Sequence, residues 1–138
     1  MVDITKELRL RSFRATQGRV RLLKLLNAAR TPLSIREIRR RWRGKRVDQA
    51  TLYRTLTDLA NSGMVRQLDL NSGIAHFEYT PDSPHHHHII CTKCGRIEDI
   101  DTCAPEIART VLKKSSHFKS ITSHNLEFFG LCSRCAKI

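Results

Sequence analysis

The sequence predicts an α+β chain in two parts: a winged helix-turn-helix, then a small α/β domain closed by a four-cysteine zinc site. Three observations predict it. Positive charge is confined to one half of the chain. Hydrophobic spacing changes from helical to alternating near residue 64. Two C-x-x-C pairs, Cys91/Cys94 and Cys132/Cys135, bracket the last third.

The charge comes first. The 138 residues carry a formal net charge of +12. Residues 1–60 hold 16 Lys/Arg against 5 Asp/Glu, whereas residues 61–138 hold 9 against 8. A confined positive field of this kind is the footprint of a nucleic-acid binder; the alternative is a solvated basic face kept for solubility. No apolar run is long enough to span a bilayer, and Met1-Val2-Asp3-Ile4 lacks a signal-peptide pattern. The expected location is the cytoplasm, with no membrane partner. That compartment keeps thiols reduced, so the five cysteines read as metal ligands before disulfides.

The elements follow in order. Val20, Leu23, Leu26 and Ala29, widened by Leu22 and Leu25, form a helical stripe over 17–29 behind Thr16 as N-cap. Ser34-Ile35-Arg36-Glu37 is a capping box that opens a short helix through Arg41. Asp48 caps a third helix, whose core stripe is Leu52, Leu56 and Leu59 and whose stop is Gly63. Residues 64–70 and 74–79 then alternate as two strands around the turn Asn71-Ser72-Gly73. Helices followed by a hairpin make a winged helix. The predicted DNA-binding domain is 1–80, the linker 81–84, and the metal-binding domain 85–138. In the latter, strands are expected near 87–91, 96–101 and 119–129. A helix near 103–115 is expected behind Thr102, with Pro105 in its first turn.

Two tight C-x-x-C turns complete a tetrahedral sulfur shell, which suits Zn²⁺ and leaves no open position for chemistry. The 37 residues between the pairs must hold a whole strand-helix-strand unit, so zinc would clasp the ends of the domain. Cys103 reads as a packing residue. The run His85-His86-His87-His88 enters the apolar strand Ile89-Ile90. Strand alternation puts His86 and His88 on one face and His85 and His87 on the other, which is geometry for two sites. His76 and Glu78 share a face of the hairpin, and Glu98, Asp99, Glu106 and His124 complete the candidates. Imidazole with carboxylate suits Fe²⁺, Mn²⁺ or Zn²⁺.

These motifs together resemble the ferric uptake regulator family over nearly the whole chain. The carriers are Leu10–Leu26 with Arg14-Ala15-Thr16 and Arg19, the segment Ala50-Thr51-Leu52-Tyr53-Arg54-Thr55-Leu56, and His85–His88 running into Cys91-x-x-Cys94-Gly95 and on to Cys132-x-x-Cys135. The resemblance implies a homodimer that binds palindromic double-stranded operator DNA when its regulatory site holds a divalent metal. It makes Cys91, Cys94, Cys132 and Cys135 the structural zinc site. It assigns Glu78, His86, His88 and Asp99 to an inter-domain regulatory site, and His85, His87, Glu106 and His124 to a further one. Many members supply a hinge histidine where this chain has Pro32 and Leu33, and His76 is the candidate to replace it. Asp99, where iron sensors often carry Glu, points toward the peroxide-sensing branch as an alternative.

A winged helix lays the early residues of its third helix toward base edges. With Leu52 and Leu56 facing the core, Thr51, Tyr53 and Arg54 turn outward. Arg54 would read guanine, while Tyr53 would touch a thymine methyl or a phosphate. Arg14 and Arg19 would reach backbone or minor groove. The Arg39–Arg46 cluster, Arg40 within it, would contact phosphate and position without specifying. A zinc hydrolase is disfavoured, since neither H-E-x-x-H nor G-x-S-x-G occurs. A zinc-stabilised nucleic-acid binder without metal sensing would leave the His/carboxylate set unexplained. The expected protein is not an enzyme.

Overall fold

A computed structural model of the chain describes residues 2–70, 73–80, 86–101, 105–122 and 124–137. The chain divides into two compact units, Met1–Asp82 and Ser83–Ile138.

In the first unit, four helices precede a hairpin: α1 (Ile4–Leu10), α2 (Gln17–Ala28), the two-residue strand β1 (Leu33–Ser34), α3 (Ile35–Arg41), α4 (Gln49–Asn61), β2 (Val65–Asp69) and β3 (Ala75–Tyr79). Side chains satisfy the free N–H groups at each helix start. Asp3 accepts from Thr5 and Lys6 N–H, Thr16 from Arg19 N–H, and Asp48 from Thr51 N–H at 2.9 Å. Ser34 and Glu37 close a reciprocal capping box, with Ser34 N–H donating to Glu37 Oε2 at 2.8 Å. Gly63, at φ +79°, ends α4 in the left-handed region that L side chains avoid.

The apolar stripes meet in one core. Leu22, Leu23 and Leu26 of α2, Ile38 of α3 and Leu52, Leu56 and Leu59 of α4 surround Phe77 of β3, which is fully buried. Two elements go beyond the sequence reading. Helix α1 adds Ile4 and Leu8 to the core. Strand β1 pairs antiparallel with β3, Leu33 opposite Phe77 and Ser34 opposite His76, which makes a three-stranded sheet in the order β1-β3-β2. In the hairpin, Gly73 takes φ +68°; Asn71 and Ser72 lie outside the described residues, as does the whole of the linker 81–84.

The second unit contains β4 (His87–Cys91), β5 (Ile97–Ile100), α5 (Pro105–Lys114) and β6 (Glu127–Gly130). Strand β4 is central, antiparallel to β5 and parallel to β6. The long strand expected over 119–129 is shorter: among the described residues of this stretch the strand is Glu127–Gly130, in parallel register with His88–Cys91 of β4. Thr102 and Cys103 fall outside the described residues. This unit buries little: Ile90, Cys91, His87 and His88 are buried, while Ile89, Ile107, Val111, Phe128 and Phe129 stand exposed.

Candidate functional site

The second unit turns sharply after β4, and Gly95 at φ +73° permits the turn. The Cys91-x-x-Cys94 knuckle so formed faces Cys132-x-x-Cys135, which follows β6. Each pair is tightened by backbone bonds: Gly95 N–H donates to Cys91 O, and Cys135 and Ala136 N–H to Cys132 O, all at 2.9 Å. One sulfur from each of the four cysteines lies within 4.8 Å of every other. Cys94 Sγ and Cys132 Sγ are 3.7 Å apart. Zinc–sulfur bonds of about 2.3 Å in tetrahedral array put sulfurs about 3.8 Å apart. The four residues therefore fit Zn²⁺.

The electrostatics fit as well. The Cys91 thiol is pulled down to about 6, chiefly by backbone N–H groups of Cys132 and Cys94. Cys132 is also lowered, first by the Cys135 N–H. Cys135 is pushed up to about 12, first by its side-chain bond to Cys132 and then by burial. Neighbouring backbone N–H groups thus favour the thiolate of Cys91 and of Cys132, the form in which cysteine binds a divalent cation.

The histidines divide around β4. His86 and His88 stack edge to face, ring centroids 5.1 Å apart. His88 lies opposite Asp99 of β5, with Nε2 3.5 Å from Oδ1. His87 is buried and stands 5.2 Å from the His124 ring. Glu106 sits exposed in the first turn of α5, and His85 lies outside the described residues. The sequence reading missed Glu127, the parallel register partner of His88 on β6. Nothing local signals it, because the pairing joins residues far apart in the chain.

In the first unit, Glu78 faces its cross-strand partner Arg66, with Oε1 3.3 Å from Nη1. His76 is half-buried, its Nδ1 2.9 Å from Ile74 O. It lies near the capping carboxylate of Glu37. Burial alone would push that carboxyl up. The Ser34 N–H and hydroxyl, His76 and Arg41 outweigh burial and hold it below its ordinary value.

On α4, Tyr53 is 47% exposed and Arg54 is exposed, while Leu52 and Leu56 are buried. Thr51 is exposed, with its hydroxyl donating to Asp48 Oδ2 at 2.6 Å. Arg14 and Arg40 are exposed; Arg19 lies over the Phe13 ring and donates to Arg14 O at 3.1 Å.

Fold and site together define a metal-responsive, DNA-binding transcription repressor. Residues 11–129 match the ferric uptake regulator family. A ferric uptake regulation protein of Campylobacter upsaliensis is 35% identical over 134 residues, 94% of this chain and 85% of that protein. One of Legionella pneumophila is 35% identical over 92 residues, 67% of this chain and 66% of its own length. The solved Helicobacter pylori ferric uptake regulator, described as having three functional metal binding sites, matches with a TM-score of 0.75 at 27% identity, covering 94% of this chain and 87% of that one. The chain belongs to the ferric uptake regulator family.

Proposed function

We propose that the protein acts as a cytoplasmic homodimer that represses transcription by binding palindromic operator DNA when a divalent ion bridges its two domains. The DNA-binding domain spans 1–80 and the metal-binding dimerisation domain 85–138. The observation that carries this reading is the division of donors about the linker. Glu78 and His76 belong to the last strand of the first unit; in the second, His86 immediately precedes β4, His88 lies on β4 and Asp99 on β5. A divalent ion (Fe²⁺, Mn²⁺ or Zn²⁺) held by both sets would supply a cross-link fixing one domain's orientation against the other. In a dimer that orientation sets the spacing of the two α4 helices, which must match half-sites about one helical turn apart. His85, His87, Glu106 and His124 make a second set, supported by the His87–His124 contact. The four-sulfur site is structural, and its closed shell offers no catalytic position.

Dimerisation is supported by the apolar surface of the second unit. No described residue of α5 is buried, and Ile107 and Val111 form an i, i+4 apolar stripe. Phe128 and Phe129, at consecutive positions of β6 and so on opposite faces of the sheet, are exposed as well. Soluble monomers rarely leave so much apolar surface open. Among the described residues, no helix is long and apolar enough to cross a membrane.

The test begins with metal analysis of protein purified without added metal. An operator selected from a random duplex pool is then titrated with each candidate ion, alongside sedimentation. The expected result is one tightly held zinc per chain, a dimer, and operator affinity that rises with one of the ions. Operator binding equally tight with and without every ion would sink the proposal.

A further inference from the structure

The chain's single tryptophan lies in the connection between α3 and α4, among Arg39, Arg40, Arg41, Arg43, Lys45 and Arg46. All six cations are exposed. Glu37 is occupied in its capping box, and Asp48 is occupied capping α4. Six like charges in eight residues repel one another, and an unbraced loop of this composition would splay.

The loop is braced. Trp42 Nε1 donates to Lys45 O at 3.0 Å, which closes the segment into a tight turn. Arg21, reaching from α2, sets its guanidinium 5.8 Å from the centre of the Trp42 ring. Gly44, at φ +100°, passes directly over that guanidinium, and a Cβ there would run into it. Trp42 and Val47 pack against the hydrophobic core. Trp42 is also the wall shared by two clefts. One is lined by Arg39, Arg40, Gly44 and Arg46. The other runs past Arg14 and Arg19 to Thr51 at the start of α4. Trp42 thus joins the basic loop to a cleft that holds Arg14, Arg19 and the start of α4.

We infer that residues 39–46 are a preformed ledge for the phosphate backbone of duplex nucleic acid, and that Trp42 is its positioning residue. The inference rests on the DNA-binding reading above, with its phosphate contacts at residues 39–46, and adds to it the side chain that organises them. Stacking on Arg21 and the bond to Lys45 fix the main chain before DNA arrives, so the guanidiniums are presented as a set. Binding then loses less entropy than it would with a loose loop. Each phosphate so engaged releases counterions and steepens the salt dependence by about 0.9 in log–log slope.

The experiment uses the full chain loaded with Zn²⁺ or Mn²⁺. Affinity is measured across a range of KCl for a random-sequence duplex and for an operator selected from a random pool. Trp42→Ala and Gly44→Ala should each lower the salt slope by about one to two units and weaken binding to both duplexes about tenfold at low salt. The ratio of operator to random affinity should stay unchanged. Trp42→Phe keeps a ring for Arg21 and loses only the Nε1 bond, so its loss should be smaller. A purely structural role would lower the melting temperature and the active fraction while leaving the slope as it was. Arg21→Gln gives a second route to the same loss should Trp42→Ala not fold. In the wild type, Trp42 emission should change on adding the random duplex, with the midpoint of the affinity curve. Unchanged slopes in Gly44→Ala and Arg21→Gln, with wild-type protein binding duplex normally, would overturn the role of Trp42 and its loop. Wild-type protein that binds no duplex at any salt would overturn the DNA-binding reading itself.

Discussion

Cys94 and Cys132 are 38 positions apart in the chain and 3.7 Å apart at their sulfurs. Between them run β5, α5 and β6. Zinc at this point joins both ends of the second unit, whose buried residues are too few to hold the strands together unaided. Cys132→Ser should therefore release the zinc and unfold or monomerise the second unit, read by metal content, sedimentation and thermal melting. A variant that keeps zinc, dimer and melting temperature would show that the site is not structural.

The capping box gives the first unit an acid-sensitive element. Glu37 is held below its ordinary value by Ser34, His76 and Arg41 against the opposing effect of burial. Its stabilising contribution is complete above the unfolded carboxylate pKa of about 4.3 and fades as pH falls through the lower folded value. Glu37→Gln should cost on the order of 1 kcal/mol at neutral pH and flatten the loss of stability below pH ~4. Urea unfolding at a series of pH values checks both.

Arg54 and Arg40 should separate in their response to DNA sequence. Arg54 is exposed beside Tyr53 on the outer face of α4. Arg54→Ala should cost about 1–3 kcal/mol on the selected operator and less on random duplex. Arg40→Ala should weaken both alike and reduce the salt slope by about one. Equal losses on both duplexes for Arg54→Ala would remove its base-reading role.

The metal switch is tested by His86→Ala and Glu78→Ala. Both should abolish the metal dependence of operator binding while the cysteine-bound zinc and the dimer persist. Metal and operator should each tighten the other's binding by the same factor, a coupling of roughly 1–3 kcal/mol. His76→Ala should weaken the metal response if His76 substitutes for a hinge histidine. Undiminished metal dependence in both His86→Ala and Glu78→Ala would rule out an ion bridging the domains.

Features written in short stretches of sequence were the legible ones. Thr16, Ser34 and Asp48 announce their helices because a cap acts within three residues. The paired cysteines announce zinc because each knuckle is a local turn. Helix α1 escaped notice: its seven residues bury only Ile4 and Leu8, too few to show a period. Strand β1 is two residues long and exists only because β3 offers it an edge. The extent of β6, and with it the place of Glu127 beside His88, depends on a parallel register with β4 that no window of sequence contains.

That parallel register also sets a timetable for synthesis. Strand β4 meets β5 within a few residues, but its other neighbour, β6, emerges only after α5 has been made. At about 5–20 residues per second, the ribosome completes the first unit seconds before the second knuckle appears. During that interval the nascent chain has a finished DNA-reading unit, two of the four zinc-ligating cysteines, and an uncovered strand edge. Zinc supply at the moment of translation then governs whether that edge is covered or left open to proteases and to other unfinished chains.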